Sequence, residues 1–160
     1  MQESVATAQL GDDPVPMAEI GRHMCLALDQ GNAVVCIAIG ARRQLLEEQL
    51  ADHGVNLVEA LGTGTYLPLD ASETLSSIII DGSPDVIRFA EVIGAPVDLA
   101  AEQHGCVLIF GELIQLLHAQ RKHSGADELE VLWWSFMTSR SVFVALPPKR
   151  EHGSFPNRRG

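Results

Sequence analysis

The polar residue with the clearest potential for chemistry is Glu112, which follows an apolar run at residues 106–110. Such a run is typical of a strand that is covered on both faces. Ligands of α/β proteins bind where strands end, so Glu112 is predicted to contact a ligand. The alternative is that its carboxylate stabilises the N-terminus of the following helix. The sequence leaves both interpretations open.

Four more residues are candidates for the same ligand site: Tyr66, Asp70, Arg42 and Trp133. Tyr66 and Asp70 lie in or next to a short predicted strand, and Arg42 lies at the start of a predicted helix. Three of them have a structural alternative. Asp70 suits a helix cap, Arg42 a solvated helix end, and Trp133 an apolar helix stripe that also contains Phe136.

The segment after the first apolar run lacks a phosphate loop. Residues 40–45 read GARRQL, with one Gly, no Lys and no Ser or Thr. A phosphate loop needs glycines to cradle the phosphates, a Lys to neutralise them and a hydroxyl to hold Mg²⁺. ATP hydrolysis of the usual kind is therefore excluded. Residues 62–65, GTGT, precede a strand instead of linking a strand to a helix, which predicts a turn.

No catalytic or metal-binding motif is present. The six histidines form no HExxH pair, and His118 and His123 are five residues apart. There is also no GxSxG nucleophile motif. We expect no metal, no cofactor and no enzymatic activity; an enzyme would require titratable groups that converge only in the fold. The three cysteines, at wide spacing, suit a reducing compartment and hence the cytoplasm.

Charge separates the chain into a body and a tail. The whole chain carries −10, with 11 basic and 21 acidic residues. The last twelve residues hold four basic groups and one acidic group, which leaves seven basic and twenty acidic residues, or −13, in residues 1–148. Such a body repels nucleic-acid backbones. No apolar run approaches the ~20 residues that cross a membrane, and residues 149–160 are predicted to form a basic flexible tail.

Hydrophobic periodicity predicts alternating helices and strands. Strands are expected at residues 33–39, 66–69, 106–110 and 142–146, with Pro68 confining the second to an edge. Helices are expected between them and at about 15–30. This order predicts an α/β fold with a mainly parallel sheet and helices on both faces, in three layers. Residues 15–148 form one predicted domain after a frayed segment, 1–14.

The second half of the chain resembles the MEDS domain, a sensory module of methanogens and methylotrophs. The resemblance rests on an ordered series of motifs: LPLDASETL at residues 67–75, GSPD at 82–85, FGE at 110–112 and LEVLW at 129–133. It implies a degenerate RecA/KaiC-like fold without the phosphate loop. Three departures, at Leu108, Trp134 and the final strand, replace polar residues of the family by apolar ones.

The resemblance implies a non-catalytic sensory or regulatory domain. It would bind a small, apolar or hydrocarbon-derived molecule near Glu112, Gly40 and Leu146, and pass the signal to a protein such as a histidine kinase or a transcription regulator. Trp134 and Phe136 are the predicted partner contacts, and a homodimer is a further expected arrangement. The alternatives are an interaction module without a ligand and a degenerate nucleotide-binding protein.

Overall fold

The computed structural model describes residues 17–139 and the strand at 143–146. The predicted frayed segment 1–14, the tail 149–160 and the domain limits at 15 and 148 lie outside the described residues. The strands are β1 (Ala33–Ala38), β2 (Tyr66–Asp70), β3 (Ile79–Ile80), β4 (Ser83–Pro84), β5 (Val107–Gly111) and β6 (Phe143–Leu146). The helices are α1 (Met17–Asp29), α2 (Gly40–Asp52), α3 (Leu57–Thr63), α4 (Ala71–Ile78), α5 (Val86–Phe89), α6 (Ala95–His104), α7 (Leu113–Ala119) and α8 (His123–Thr138).

Four strands form a parallel sheet in the order β2-β1-β5-β6. The predicted α/β class and the parallel pairing are therefore confirmed. Pro68 lies in β2, which ends the sheet on one side, as expected for a residue without a backbone N–H. None of the helices in the described part of the chain is both long and apolar enough to span a membrane.

The side chains of β1 alternate between two cores, because successive residues of a strand point to opposite faces. Val35 and Ile37 belong to a core built with α4, α6, α7 and α8. Val34 and Cys36 belong to a second core built with α1, α2 and α3. All six residues of β1 are buried, which explains why the run is apolar without alternation.

Two local structures differ from the sequence prediction. Residues 62–65 are not an isolated turn, because Gly62 and Thr63 belong to α3, and Gly64 ends that helix at φ 79°. Residues 79–84 form a small antiparallel hairpin, which the sequence analysis did not predict, and in it Ile80 pairs with Ser83. Its two central residues, Asp81 and Gly82, both have positive φ, 54° and 84°. This is the backbone that a two-residue hairpin turn requires.

Gly94 and Pro96 lie at a distortion within a continuous helical segment. Five residues of π-helix, Ala90–Gly94, join α5 to α6. Pro96 has no N–H to donate and its ring collides with the carbonyl four residues earlier, so a regular α-helix is disturbed in the turn before it. The wider turn keeps Phe89 and Ile93 in the core.

Candidate ligand site at the strand ends

The chain reverses its direction of winding between β1 and β5. The crossover that leaves β1 runs through α2 and α3 to β2 on one side, and the crossover that leaves β5 runs through α7 and α8 to β6 on the other. These two crossovers lie on opposite faces of the sheet. A parallel sheet opens a crevice at such a switch point, outside the carboxyl ends of the two strands.

Glu112 lies at this switch point, where the strand-end crevice is expected, and is buried, with 3% of its surface exposed. Its backbone N–H donates to the Ile37 carbonyl at 3.0 Å, which continues the pairing of β5 with β1. Its side chain then turns toward the start of α2, where Oε1 accepts a hydrogen bond from the Ile39 N–H at 2.9 Å. Glu112 therefore joins the ends of both strands through its backbone and its carboxylate.

The second oxygen of this carboxylate forms an ion pair with Arg42. The distance between Glu112 Oε2 and Arg42 Nε is 2.5 Å. The N–H of Arg42 Nε is not aligned for a hydrogen bond, so the contact is a close charge pair. Another nitrogen of the same guanidinium lies 3.6 Å from the Met17 sulfur. Arg42 is thereby held between α1 and the strand ends.

Burial raises the pKa of the Glu112 carboxyl above its usual 4.5, and the Ile39 N–H and Arg42 partly oppose this shift. Burial dominates because removing a carboxylate from water disfavours its charged form. A carboxyl group with a raised pKa at the end of a strand can accept hydrogen bonds or exchange a proton with a molecule in the crevice.

The side chain of Glu112 settles one alternative left open by the sequence. Glu112 occupies the position before α7, but its carboxylate does not cap that helix. It instead contacts Ile39, the residue before α2, where a negative charge is favoured by the exposed N–H groups. The carboxylate thus supports the helix of the other crossover.

Trp133 borders the crevice from the opposite face of the sheet. A Cβ atom at Gly111, the last residue of β5, would lie 3.7 Å from Trp133 Cη2, so the indole lies against the strand end. The indole is half-buried and meets the Phe89 ring edge-to-face at 5.9 Å between centroids. An apolar aromatic wall therefore adjoins the polar group formed by Glu112 and Arg42.

Tyr66 lies elsewhere, in the core between the sheet and α2. It pairs with Val34 near the beginning of β1 and is 1% exposed. Its hydroxyl donates to Glu47 Oε2 at 2.8 Å, and burial raises the pKa of this phenol. Burial also raises the pKa of the neighbouring Cys36 thiol to about 12, with smaller effects from Tyr66, Glu112 and Glu47. The hydroxyl of Tyr66, a predicted ligand residue, is therefore already hydrogen-bonded within the core.

Asp70 is at the edge where the strands end, because it pairs with Ala38 in the register of β1 and β2. Its side chain caps α4 by accepting from the Glu73 N–H at 2.9 Å. The structural alternative proposed from the sequence is therefore present. Of the five predicted ligand residues, the crevice brings Glu112 and Arg42 into contact, with Trp133 across the end of β5.

The two predicted partner contacts have different environments. Phe136 is 9% exposed and packs edge-to-face on Phe89 at 5.6 Å between centroids. It is a core residue, so its surface role is corrected: its position in the helix stripe with Leu129 already indicated burial. Trp134, by contrast, is 51% exposed.

Sequence reasoning missed two participants, the Ile39 N–H and Glu47. Ile39 is 73 residues from Glu112 in the chain, and a backbone donor has no signature in the sequence. Glu47 forms an ion pair with Arg43, one turn earlier on α2, at 3.6 Å. Its hydrogen bond to Tyr66 requires the packing of α2 on β2, which local spacing does not show.

Comparison of the chain with known protein families, curated proteins and solved structures finds no match. The resemblance to the MEDS family therefore stays a prediction.

Proposed function

We propose that this protein is a non-catalytic sensory or regulatory domain that binds a small, mostly apolar molecule at the strand-end crevice. The observation that carries the proposal is the position of the Glu112 carboxylate. It accepts from the Ile39 N–H and pairs with Arg42 at the start of α2. In nucleotide-binding α/β proteins a phosphate lies at this place, between a strand end and a helix N-terminus.

The fixed carboxylate determines the ligand chemistry. A phosphate that approached Ile39 would meet a negative charge already bound there, and like charges repel strongly where water is scarce. This argues against the alternative of a degenerate nucleotide-binding protein. A neutral molecule with one hydrogen-bond donor, such as an alcohol, would satisfy Glu112 and place its apolar part against Trp133.

The readout would be the contact between Glu112 and Arg42. A ligand that donates a hydrogen bond to Glu112 competes with Arg42, which lies on α2, so binding would change the contact that anchors α2 at the strand ends. Such a change can be passed to a partner protein, for which the MEDS resemblance suggests a histidine kinase or a transcription regulator. The same proposal includes a finer interpretation of the fold as a three-layer RecA/KaiC-like domain. It also includes a cytoplasmic location, which three free cysteines support.

Tryptophan fluorescence and thermal unfolding of the full chain test the proposal. The chain contains two tryptophans, so Trp134→Phe leaves Trp133 as the reporter at the crevice. We expect short alcohols and other small neutral compounds to change its emission and to raise the melting temperature, because a ligand that binds only the folded state stabilises it. ATP with Mg²⁺ should do neither.

Two variants separate binding at the crevice from general solvent effects. Glu112→Gln should weaken the response, whereas Glu48→Gln, an exposed position on α2, should leave it unchanged. Stabilisation by ATP with Mg²⁺, or equal responses in the two variants, would overturn the proposal.

The second candidate is an interaction module that needs no small ligand. Val131 and Trp134 are 70% and 51% exposed. They are three residues apart on α8 and so share one face of it. Sedimentation of the full chain and of Trp134→Glu tests self-association through this face: a dimer lost in the variant would favour it, and an unchanged monomer would count against it.

A further inference from the structure

We propose that His118 and His123 form a two-histidine site for a divalent transition-metal ion that prefers nitrogen ligands at right angles, such as Ni²⁺ or Cu²⁺. The two residues are five apart, a spacing that would separate them on a continuous helix. They meet because α7 ends at Ala119 and α8 begins at His123. Their Nδ1 atoms are 2.7 Å apart.

The connection between the helices makes this approach possible. Arg121 adopts φ 65°, a left-handed conformation that non-glycine residues rarely take. Its N–H donates to the His118 carbonyl at 2.9 Å, and the Lys122 N–H donates to the Leu117 carbonyl at 2.8 Å. These bonds fix the turn, so the two rings are brought together before any ion arrives. Their centroids are 5.0 Å apart and their planes are tilted by 35°.

The distance between the nitrogens selects the coordination geometry. With metal–nitrogen bonds of about 2.0 Å, two ligands at a right angle have nitrogens about 2.8 Å apart, and tetrahedral ligands about 3.3 Å. The observed 2.7 Å is nearer to the first value. An ion would lie to one side of the line between the two nitrogens, so both rings must turn from their hydrogen-bonded orientation to direct their lone pairs at it.

The metal-free pair shares one proton, because one Nδ1–H donates to the lone pair of the other Nδ1. An ion that binds both Nδ1 atoms requires the proton of the donor ring to move from Nδ1 to Nε2. Each neutral histidine then still carries one proton, so binding releases none.

Among the residues that the structure describes, no third His, Cys, Asp or Glu joins the pair. Two imidazoles therefore leave the other coordination positions to water or to an incoming molecule. The site is separate from the crevice, since α7 starts beside Glu112 and carries His118 near its other end.

Titration of the full chain with Ni²⁺ by calorimetry tests the proposal. The variants are His118→Asn, His123→Asn and, as the matched control, His53→Asn. His53 is also exposed at a helix end, but its Nδ1 contacts a backbone carbonyl, that of Gln49, at 2.8 Å. Circular dichroism establishes that each variant is folded.

We expect the His53 variant to bind like the wild type. Either of the other variants should bind about tenfold or more weakly, the order of loss seen when support for a metal ligand is removed. Paramagnetic resonance of the Cu²⁺ form should show coupling to two nitrogens in the wild type and to fewer in His123→Asn. Equal Ni²⁺ affinity in the wild type and in both pair variants would overturn the site.

Discussion

Arg42 and Arg43 are neighbours in the first turn of α2 and have equally exposed side chains, 37% each, yet their carboxylate partners differ. Glu112, the partner of Arg42, comes from another strand and has a side chain that is 4% exposed. Glu47, the partner of Arg43, is one turn along the same helix and 30% exposed. The contribution of an ion pair to stability therefore depends on the other groups that its buried member contacts.

Glu112 accepts from the Ile39 N–H at the end of β1 and is buried, whereas the Glu47 side chain is 30% exposed to water. Exposed pairs contribute little, since water and salt screen them. Removing one member of a buried group leaves its partners without hydrogen bonds, which is costly. The two pairs should therefore respond very differently to substitution.

The largest effect is expected for Glu112→Ala. It removes the acceptor of the Ile39 N–H and the partner of Arg42, and we expect the free energy of unfolding to fall by about 2 kcal/mol. Urea unfolding followed by circular dichroism measures it. A loss comparable to that of an exposed position such as Glu48→Ala would show that water replaces the carboxylate without cost.

Glu47→Ala should have a smaller effect, a loss of about 1 kcal/mol. The cost arises from the buried Tyr66 hydroxyl, which loses its acceptor, and not from Arg43. The same unfolding measurement on Tyr66→Phe and on the double variant checks this origin. If the hydroxyl is responsible, Glu47→Ala will cost less in the Tyr66→Phe background than in the wild type.

A further difference should appear in the pH dependence of stability. The pKa of Glu112 is raised in the folded state above 4.5, chiefly by burial, so the folded protein binds more protons than the unfolded chain from about pH 4.5 up to the raised value. This contribution to stability is present at low pH and is lost as the pH rises through that window. Glu112→Gln lacks it.

The measurement is the unfolding free energy of the wild type minus that of Glu112→Gln, followed from about pH 4 to pH 7. The difference should decrease with rising pH. An increase would mean that Arg42 and the Ile39 N–H outweigh burial, and that the carboxylate is more stable charged than neutral.

The smallest effect is expected for Arg43→Ala, within about 0.5 kcal/mol of the wild type, because the pair with Glu47 is partly solvated and spans one helical turn. Thermal unfolding at low and at high salt checks it. A larger loss that disappears at high salt would indicate that Arg43 offsets the negative charges of both carboxylates.

Much of the fold could be predicted because its signals are local. The strands are unbroken apolar runs, Pro68 places β2 at an edge, and Asp70 caps α4 with the spacing expected of an N-cap. The short helix α3 was missed because its residues show no apolar stripe: Val58 and Leu61 are 81% and 50% exposed.

The hairpin had a usable signal in Asp81-Gly82, a pair typical of two-residue turns.

The candidate site was predicted less completely, because its contacts are long-range. The position of Glu112 at a strand end followed from the sequence, but its direction toward α2 did not. That direction depends on the neighbouring position of β1 and β5 in the sheet. The approach of His118 and His123 likewise depends on the left-handed conformation of Arg121. An arginine in the sequence does not indicate that conformation.

Pro68 has a consequence for how copies of this protein meet. The Thr65 carbonyl accepts from the Val34 N–H, so the backbone groups of Thr65 and Leu67 face β1 and those of Tyr66 and Pro68 face outward. The open side of β2 thus lacks a donor at its centre. Another strand cannot complete a ladder there, which protects the protein against edge-to-edge aggregation.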